Sequence, residues 1–378
     1  MAGVRIGGVA SIPVVPGIPY TVQSLSDFQY LAQGLVEVTD KTVNVLDEAN
    51  NAMLSPNQLW IAVDANFPNP PDDGTIQVVS SAAVGGTPSQ FNIAEEFPFP
   101  DARNGYRLHP TWHPNNDTVI YVHSLDGFQG DIVTSDRTNP GVETVIYSNP
   151  DTSGATGWGV YRPQFNRDGT KVAWLRNKNA APADGNNGLY VADADGSSLT
   201  QIDDMGGGAS SGYLFQGSQF QWGPGNTIVY VRYVNNTATG SQIYLINSDG
   251  TGMTQLSTDG DTSAHPCRIS NRCFSPGDDF IIGTAQTSKS FVNSWDLWRW
   301  ELDGSGGTWL DLGVHGPDGG TYFRCAYVHN NRIHMVESKS GGKIISCAMD
   351  GTDITTDVDL GVNMDGDQFY DGTGIEWI

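Results

Sequence analysis

Three arginines, Arg162, Arg272 and Arg324, occupy similar places in a repeated sequence pattern. Arg272 and Arg324 each stand two residues before the residue that anchors a repeat, and Arg162 stands three residues before its anchor. His109 and Gln164 fall in the same part of the pattern. Because a guanidinium donates paired hydrogen bonds that suit a carboxylate, these five residues are the predicted anion-binding set. Internal pairing with Asp or Glu would also account for the arginines.

The histidines are the natural candidates for a metal site. His109, His265 and His315 each precede a predicted opening strand, but they lie 3, 9 and 11 residues from their anchors. Such unequal offsets do not favour convergence on one ion, so we expect neither a metal site nor a cofactor. Ser210 fits G-x-S-x-G without the strand-to-helix turn of a nucleophile elbow, and no catalytic residue is predicted.

Calcium is the one ion that the sequence leaves open. Its best candidates are Asp365, Asp367 and Asp371, whose carboxylates are spaced along a polar turn. This segment lacks the full loop and distal Glu of an EF-hand. Asp-Gly turns recur throughout the chain for conformational reasons, and that explanation needs no ion.

The elements that must position these residues are repeats of about 50 residues. Each begins with an anchoring residue, continues through a polar turn and leads into an apolar strand. The anchors are Trp112, Phe165, Trp222, Phe274 and, in a weaker fifth unit, Ala326. The pattern predicts strand, turn and strand in every unit.

A second landmark follows inside four of the units: an alternating strand that ends in Asp-Gly, followed by another short strand. These pairs are Asp195-Gly196, Asp249-Gly250, Asp303-Gly304 and Asp350-Gly351. Asp-Gly between alternating strands is a strong hairpin signal, because glycine accepts the positive φ of a tight turn. Each unit therefore contains four antiparallel strands.

Repeated four-stranded units of this length predict an all-β fold, a six-bladed β-propeller in residues 55–378. Trp377 lies 51 residues after Ala326, in register with the anchors. We expect residues 55–100 and 373–378 to share the sixth blade and close the ring, which would remove exposed sheet edges.

The units resemble the WD40-like PD40 repeats of TolB-type six-bladed propellers. That family reads P-x-W-S-P-D-G before an apolar strand, and later has a strand ending in D-G before L-T. The matching stretches are 110–122, 163–175, 274–283 and the strands that end at Gly196 and Gly250. The S-P-D-G turn is intact in no unit, and the fifth unit lacks the aromatic anchor. The resemblance implies the fold and leaves the activity open.

Residues 1–54 are predicted to form a separate arm that docks on a protein partner or packs as a plug on one propeller face. Residues 1–20 contain Pro13, Pro16 and Pro19, which favour an extended segment over a signal peptide. Residues 24–34 have the capping pattern of a short helix, and residues 36–45 that of a hairpin.

The formal charge of the 378-residue chain is −23, with 19 basic and 42 acidic residues. Such a chain repels phosphate, so nucleic-acid binding is excluded. No stretch reaches the ~18 apolar residues of a membrane helix, so no membrane insertion is expected. Many Asp residues are explained by turns. The shortage of Lys favours an acidic, halophilic protein.

The predicted function is a non-enzymatic structural or binding propeller. We expect a virion protein, as capsid decoration or in a tail, whose arm holds it in a larger symmetric assembly. Its ring would face protein partners or a host-surface glycan. The alternatives are a propeller-type polysaccharide lyase or hydrolase with a site at the channel mouth, and an envelope scaffold, in an extracellular or cell-envelope location.

Overall fold

The computed structural model describes residues 3–6, 10–13, 49–55, 60–65, 75–80, 93–97, 106–124, 130–139, 142–149, 158–178, 188–204, 220–233, 241–257, 267–285, 296–312, 323–329, 331–337 and 343–359. Within these residues the chain forms strands, tight turns and one short 3-10 turn at Pro224–Asn226, with no α-helix. It divides into two compact units, Met1–Gln201 and Ile202–Ile378, and each unit is described by itself.

The first strands along the chain form one two-stranded and three four-stranded antiparallel sheets, each built in chain order. The two-stranded sheet is β1 (Gly3–Ile6) with β2 (Ala10–Pro13). The first four-stranded sheet is β3 (Ala49–Leu54), β4 (Trp60–Ala65), β5 (Thr75–Ser80) and β6 (Ile93–Phe97). The second is β7 (Tyr106–Trp112), β8 (Thr118–Ser124), β9 (Gly130–Asp136) and β10 (Glu143–Tyr147). The third is β11 (Trp158–Phe165), β12 (Lys171–Lys178), β13 (Gly188–Asp193) and β14 (Thr200–Asp203).

Three further four-stranded antiparallel sheets complete the described strands. The fourth is β15 (Phe220–Trp222), β16 (Thr227–Tyr233), β17 (Ser241–Asn247) and β18 (Thr254–Gln255). The fifth is β19 (Cys267–Phe274), β20 (Phe280–Ala285), β21 (Asp296–Glu301) and β22 (Gly307–Trp309). The sixth is β23 (Phe323–His329), β24 (Arg332–Glu337), β25 (Lys343–Ala348) and β26 (Thr355–Asp359).

The polar turn after four of the opening strands contains a residue in the left-handed conformation, four positions past the anchor. These residues are Asn116, Gly169, Asn226 and Asp278, with φ between 56° and 76°. Gly, Asn and Asp are the types that tolerate positive φ most readily. The turns therefore depart from Ser-Pro-Asp-Gly in sequence while keeping its backbone shape.

The Asp-Gly hairpins between third and fourth strands share one hydrogen-bonding pattern. The carboxylate of Asp249 accepts the backbone N–H of Thr251 at 2.9 Å and the Thr251 hydroxyl at 2.6 Å. Asp195 and Asp350 accept the equivalent pairs from Ser197 and Thr352, and Asp303 accepts the N–H of Ser305. These bonds stabilise the charged form and lower the pKa of all four carboxyl groups.

The hairpin glycines also lie close to the outer part of the preceding sheet. Their φ angles are 85°, 83°, 77° and 83° for Gly196, Gly250, Gly304 and Gly351. A Cβ at Gly196 would stand 2.0 Å from the carbonyl oxygen of Ile146, and one at Gly351 would stand 3.2 Å from the Cβ of Leu310. The equivalent contacts of Gly250 and Gly304 are Ile202 and Thr254. Each hairpin thus packs on the preceding sheet through a residue that lacks a side chain.

The core of each unit is formed by the inner strands of these sheets. In the first unit Trp174 is fully buried, with the rings of Tyr147 at 5.1 Å and Tyr190 at 6.1 Å between centroids. In the second unit Trp298 and Trp300 pack with Val229, Leu256 and Ile281, among other buried side chains. Aromatic residues therefore supply much of the buried apolar surface.

The all-β prediction is confirmed. The described strands form six four-stranded antiparallel sheets, and in four of these sheets Asp-Gly joins the third strand to the fourth. The first four-stranded sheet differs from the predicted shared blade of residues 55–100 and 373–378. Ala49–Leu54, assigned to the arm, pairs with Trp60–Ala65 and takes the opening position that was given to residues 373–378. The reason is that Leu54, directly before Ser55-Pro56, stands at the anchor position in sequence, where four other repeats have Trp or Phe and one has Ala.

Several predictions concern residues outside the described segments. They are the helix at 24–34, the hairpin at 36–45, Ser210 and the strand at 373–378. Residues 3–6 and 10–13 pair as a hairpin within the segment predicted to be extended. Six blades joined in a closed ring remain a prediction.

The hairpin glycines yield a stability test with a matched control. Gly250→Ala should lower the free energy of unfolding by about 1–2 kcal/mol, because alanine is strained at positive φ. Gly196→Ala should lower it by about 1–3 kcal/mol more than Gly250→Ala does, because its methyl group meets the Ile146 carbonyl. Urea unfolding of both variants measures this difference, and equal losses would contradict the close approach at Gly196.

The hairpin carboxylates should make stability depend on pH. Their folded-state pKa lies below the unfolded value, so their contribution is present above the unfolded pKa and is lost as pH falls through the folded pKa. Asp→Asn substitution at residues 195, 249, 303 and 350 keeps an acceptor oxygen but removes the charge. The quadruple variant should be less stable than the parent at pH 7 and should lose less stability on acidification. Parallel pH profiles of unfolding would refute this.

Candidate anion-binding site

A bulge interrupts the opening strand in five of the six four-stranded sheets that are described. In three of these bulges a side-chain-bearing residue adopts the left-handed conformation: His109 and Arg162 at φ 55° and Arg272 at φ 56°. These are three of the five residues that the sequence predicted to bind an anion. Positive φ raises the conformational energy of such residues and is concentrated at functional sites. The three bulges are therefore candidate parts of a binding site.

His109 and Arg162 lie near one another in the first unit. Arg162 exposes 5% of its surface, and Gln164, two residues along β11, exposes 6%. The His109 ring meets the Tyr161 ring edge-on, with 5.9 Å between centroids. The geometry therefore places a guanidinium and an imidazole, from the opening strands of two successive sheets, within one partly buried cluster.

The cluster holds His109 in its neutral form. Burial of the imidazole is the larger cause and the positive charge of Arg162 the second, and together they lower the pKa of His109 to about 3. A general base works best with a pKa near the operating pH, so His109 is poorly matched to proton transfer at pH 7. It is suited instead to hydrogen bonding beside the fixed charge of Arg162.

Arg272 and Arg324 belong to the second unit. The backbone N–H of Arg272 donates to Oε1 of Gln221, and its side chain is partly buried. Arg324 lies in β23 and pairs with Val336 of β24; its side chain is not among those that the structure describes. The structure thus groups His109, Arg162 and Gln164 within one unit, while the predicted convergence of all three arginines stays a prediction.

Sequence reasoning named Gln164 but did not predict that polar residues at this position tie one opening strand to the next. The residue just before the anchor reaches the following bulge: the Thr111 hydroxyl donates to the carbonyl of Pro163 at 2.6 Å. At the corresponding place Gln221 accepts instead, through Oε1, the backbone N–H of Arg272. Gln164 occupies the same register position. The available signal was a polar residue directly before the aromatic anchor in three successive units.

A second group of basic side chains was also missed. They occupy matching positions near the end of the second strands, as His123, Arg176 and Arg232. His123 Nδ1 lies 2.9 Å from Oε2 of Glu143, whose other oxygen accepts the Tyr121 hydroxyl at 2.8 Å. Arg232 pairs with Asp203 at 3.2 Å and with Asp204 at 2.9 Å. Internal pairing therefore accounts for Arg232; whether it also accounts for Arg162, Arg272 and Arg324 stays open.

The metal candidates mostly fall outside the described segments: His265, His315, Asp365, Asp367 and Asp371. Among described residues no group of three or more His, Cys, Asp or Glu side chains is placed to hold a metal ion. The described part of the chain also contains no helix long and apolar enough to cross a membrane. The expectation on calcium remains untested.

No protein-family model and no curated protein matches this sequence. Solved structures do match. Oligogalacturonate lyase in complex with manganese is 13% identical, with a TM-score of 0.54 over 81% of this chain and 75% of the lyase. The β-propeller domain of the Trilobed protease from Pyrococcus furiosus is 10% identical, with a TM-score of 0.51 over 81% of each chain.

The chain has a β-propeller fold. Putative TolB from Agrobacterium tumefaciens is also similar, at 15% identity, with a TM-score of 0.46 over 71% of this chain and 83% of that one. The chain spans 45% of the length of the acylaminoacyl peptidases that it also matches. At these identities the comparisons show the fold alone, and the matching structures include both peptidases and a lyase, so the fold does not indicate one activity.

Proposed function

We propose that this protein is a binding propeller whose His109–Arg162 cluster accepts a carboxylate or similar anion, and that it has no catalytic activity of its own. The observation that carries the proposal is the left-handed backbone at His109 and Arg162, each three residues before its anchor in a bulge of two residues against one; Arg272 has the same backbone conformation in the irregular segment of β19. Backbone strain at side-chain-bearing positions persists where a function requires the geometry.

The charges of the cluster support an anionic ligand. Arg162 carries a permanent charge, and its planar guanidinium is suited to paired hydrogen bonds with a carboxylate. The neutral His109 beside it adds hydrogen-bonding capacity without adding a second buried charge. A carboxylate on a protein partner or on an acidic glycan has the required chemistry.

The location in which the protein acts stays a prediction. The sequence favours a virion, with residues 1–54 as the anchor and the propeller facing outward. An extracellular or envelope location is the alternative. A propeller-type lyase or hydrolase would need a proton-transferring group, and the pKa of about 3 at His109 speaks against that residue in the role.

The binding proposal is tested with small carboxylates as probes. Acetate, succinate and citrate are titrated into the full chain and followed by calorimetry. Arg162→Gln should weaken binding at least about tenfold, a loss of about 1.4 kcal/mol. The matched control is Arg167→Gln, which removes the same charge from an exposed turn at the end of the same strand and should leave binding unchanged.

Folding is monitored separately, because Arg162 is buried. Arg162→Lys keeps the charge but loses the planar pair of donors, so it should bind with intermediate affinity. Circular dichroism melting curves establish that each variant is folded. Absence of binding by all three probes, or equal weakening by Arg167→Gln, would overturn the proposed site.

A further inference from the structure

Asp-Gly pairs are places where a protein chain changes chemically without any enzyme. Glycine has no side chain to shield its backbone nitrogen, and this nitrogen can attack Cγ of the preceding Asp. The N–Cγ bond forms, a carboxyl oxygen leaves as water, and the product is a succinimide. Water then adds back at either carbonyl of the ring, which gives Asp again or isoaspartate.

Twelve Asp-Gly pairs occur in the sequence, and five of them lie in turns that the structure describes. In all five turns a hydroxyl residue stands two positions after Asp. The pairs and their hydroxyl residues are Asp168-Gly169 with Thr170, Asp195-Gly196 with Ser197, Asp249-Gly250 with Thr251, Asp303-Gly304 with Ser305, and Asp350-Gly351 with Thr352. The same pattern therefore recurs in turns of two kinds, one after an opening strand and one between third and fourth strands.

The glycine nitrogen of each pair is engaged in the turn. The N–H of Gly196 donates to the carbonyl of Asp193 at 2.8 Å, and the N–H of Gly351 donates to the carbonyl of Ala348 at 2.9 Å. The other three glycines donate in the same way at 2.9–3.3 Å. Attack on Cγ requires the nitrogen to lose this proton, so the turn must first open.

The Asp side chain is held at the same time. Oδ1 of Asp350 accepts the backbone N–H of Thr352 at 3.0 Å and the Thr352 hydroxyl at 2.6 Å. Succinimide formation uses the neutral acid, because an ionised carboxylate is a poor electrophile. In all five turns the hydroxyl bond is the largest cause of a lowered Asp pKa and the backbone bond is the second, so the neutral acid becomes rarer.

Isomerisation would damage the packing of these turns. Isoaspartate carries the main chain through the side-chain CH₂ group, so the backbone gains one carbon. A Cβ at Gly196 would already stand 2.0 Å from the carbonyl oxygen of Ile146. The turn has no room for a longer chain, and isoaspartate at residue 195 would therefore separate the hairpin from β10.

We infer that the hydroxyl residue two positions after each of these five Asp residues protects the Asp-Gly pair from isomerisation. Any residue except proline supplies the backbone N–H at that position, so the turn bond alone does not require Ser or Thr. The hydroxyl of Thr352 adds a second donor to the same oxygen of Asp350, as that of Ser197 does for Asp195. The carboxylate is thereby kept charged and fixed in place. This inference is independent of the His109–Arg162 cluster.

The test measures isoaspartate at each pair by proteolysis and mass spectrometry, after the full chain has been incubated at neutral pH either folded or in urea. Each of the five pairs should isomerise at least about tenfold more slowly in the folded protein. Thr352→Val replaces the hydroxyl with a methyl group and should speed isomerisation at Asp350 about three- to tenfold, which corresponds to the loss of one hydrogen bond. The other four pairs should keep their rates, and Thr352→Ser should isomerise at the parent rate.

Thr356→Val is the matched control, because Thr356 is an exposed threonine of β26 four positions further along the chain. It should leave the rate at Asp350 unchanged, and urea unfolding establishes that each variant is folded. Equal isomerisation in the folded and unfolded chains would overturn the inference. So would equal effects of Thr352→Val and Thr356→Val, or acceleration of all five pairs by Thr352→Val, since general unfolding would then set the rate. None of these results bears on carboxylate binding, so the two proposals fail separately.

Discussion

The contact on which the rest of the structure depends is the packing of each Asp-Gly hairpin on the sheet before it. At Gly196 the backbone comes so close to the Ile146 carbonyl that no side chain would fit. The same residue also needs a positive φ to turn the chain. Because one glycine meets both requirements, hairpin formation within a sheet and packing between sheets are coupled. Gly250, Gly304 and Gly351 repeat the positive φ and the position on the preceding sheet in the second unit, but with more room, since a Cβ there would lie 3.0–3.5 Å from its nearest neighbour.

This coupling changes how the acidity of the chain is interpreted. Asp195, Asp249, Asp303 and Asp350 accept hydrogen bonds from the residue two positions ahead, and these bonds hold the turn in shape. These four carboxylates are thus explained by turn chemistry and require neither an ion nor a cationic partner. Among the arginines of opening strands whose burial the structure describes, Arg162 is buried and Arg272 is partly buried.

The sequence predicted the features that depend on local conformation. Alternating strands that end in Asp-Gly, and anchors such as Trp112 and Phe165, were sufficient for the repeat and its four strands. The opening strand Ala49–Leu54 escaped prediction because Leu54 is not aromatic. The Thr111–Pro163 contact joins residues 52 positions apart and is visible only in three dimensions. The neutral state of His109 also depends on burial, which sequence spacing does not reveal.

Hydrogen–deuterium exchange of the unmodified protein tests the coupling most directly. If the hairpins are packed on the preceding sheets, peptides covering 193–199, 247–253, 301–307 and 348–354 should be protected nearly as well as the strands that flank them. Loop-like exchange of these peptides, at the rate of exposed hairpins while the strands stay protected, would contradict the account.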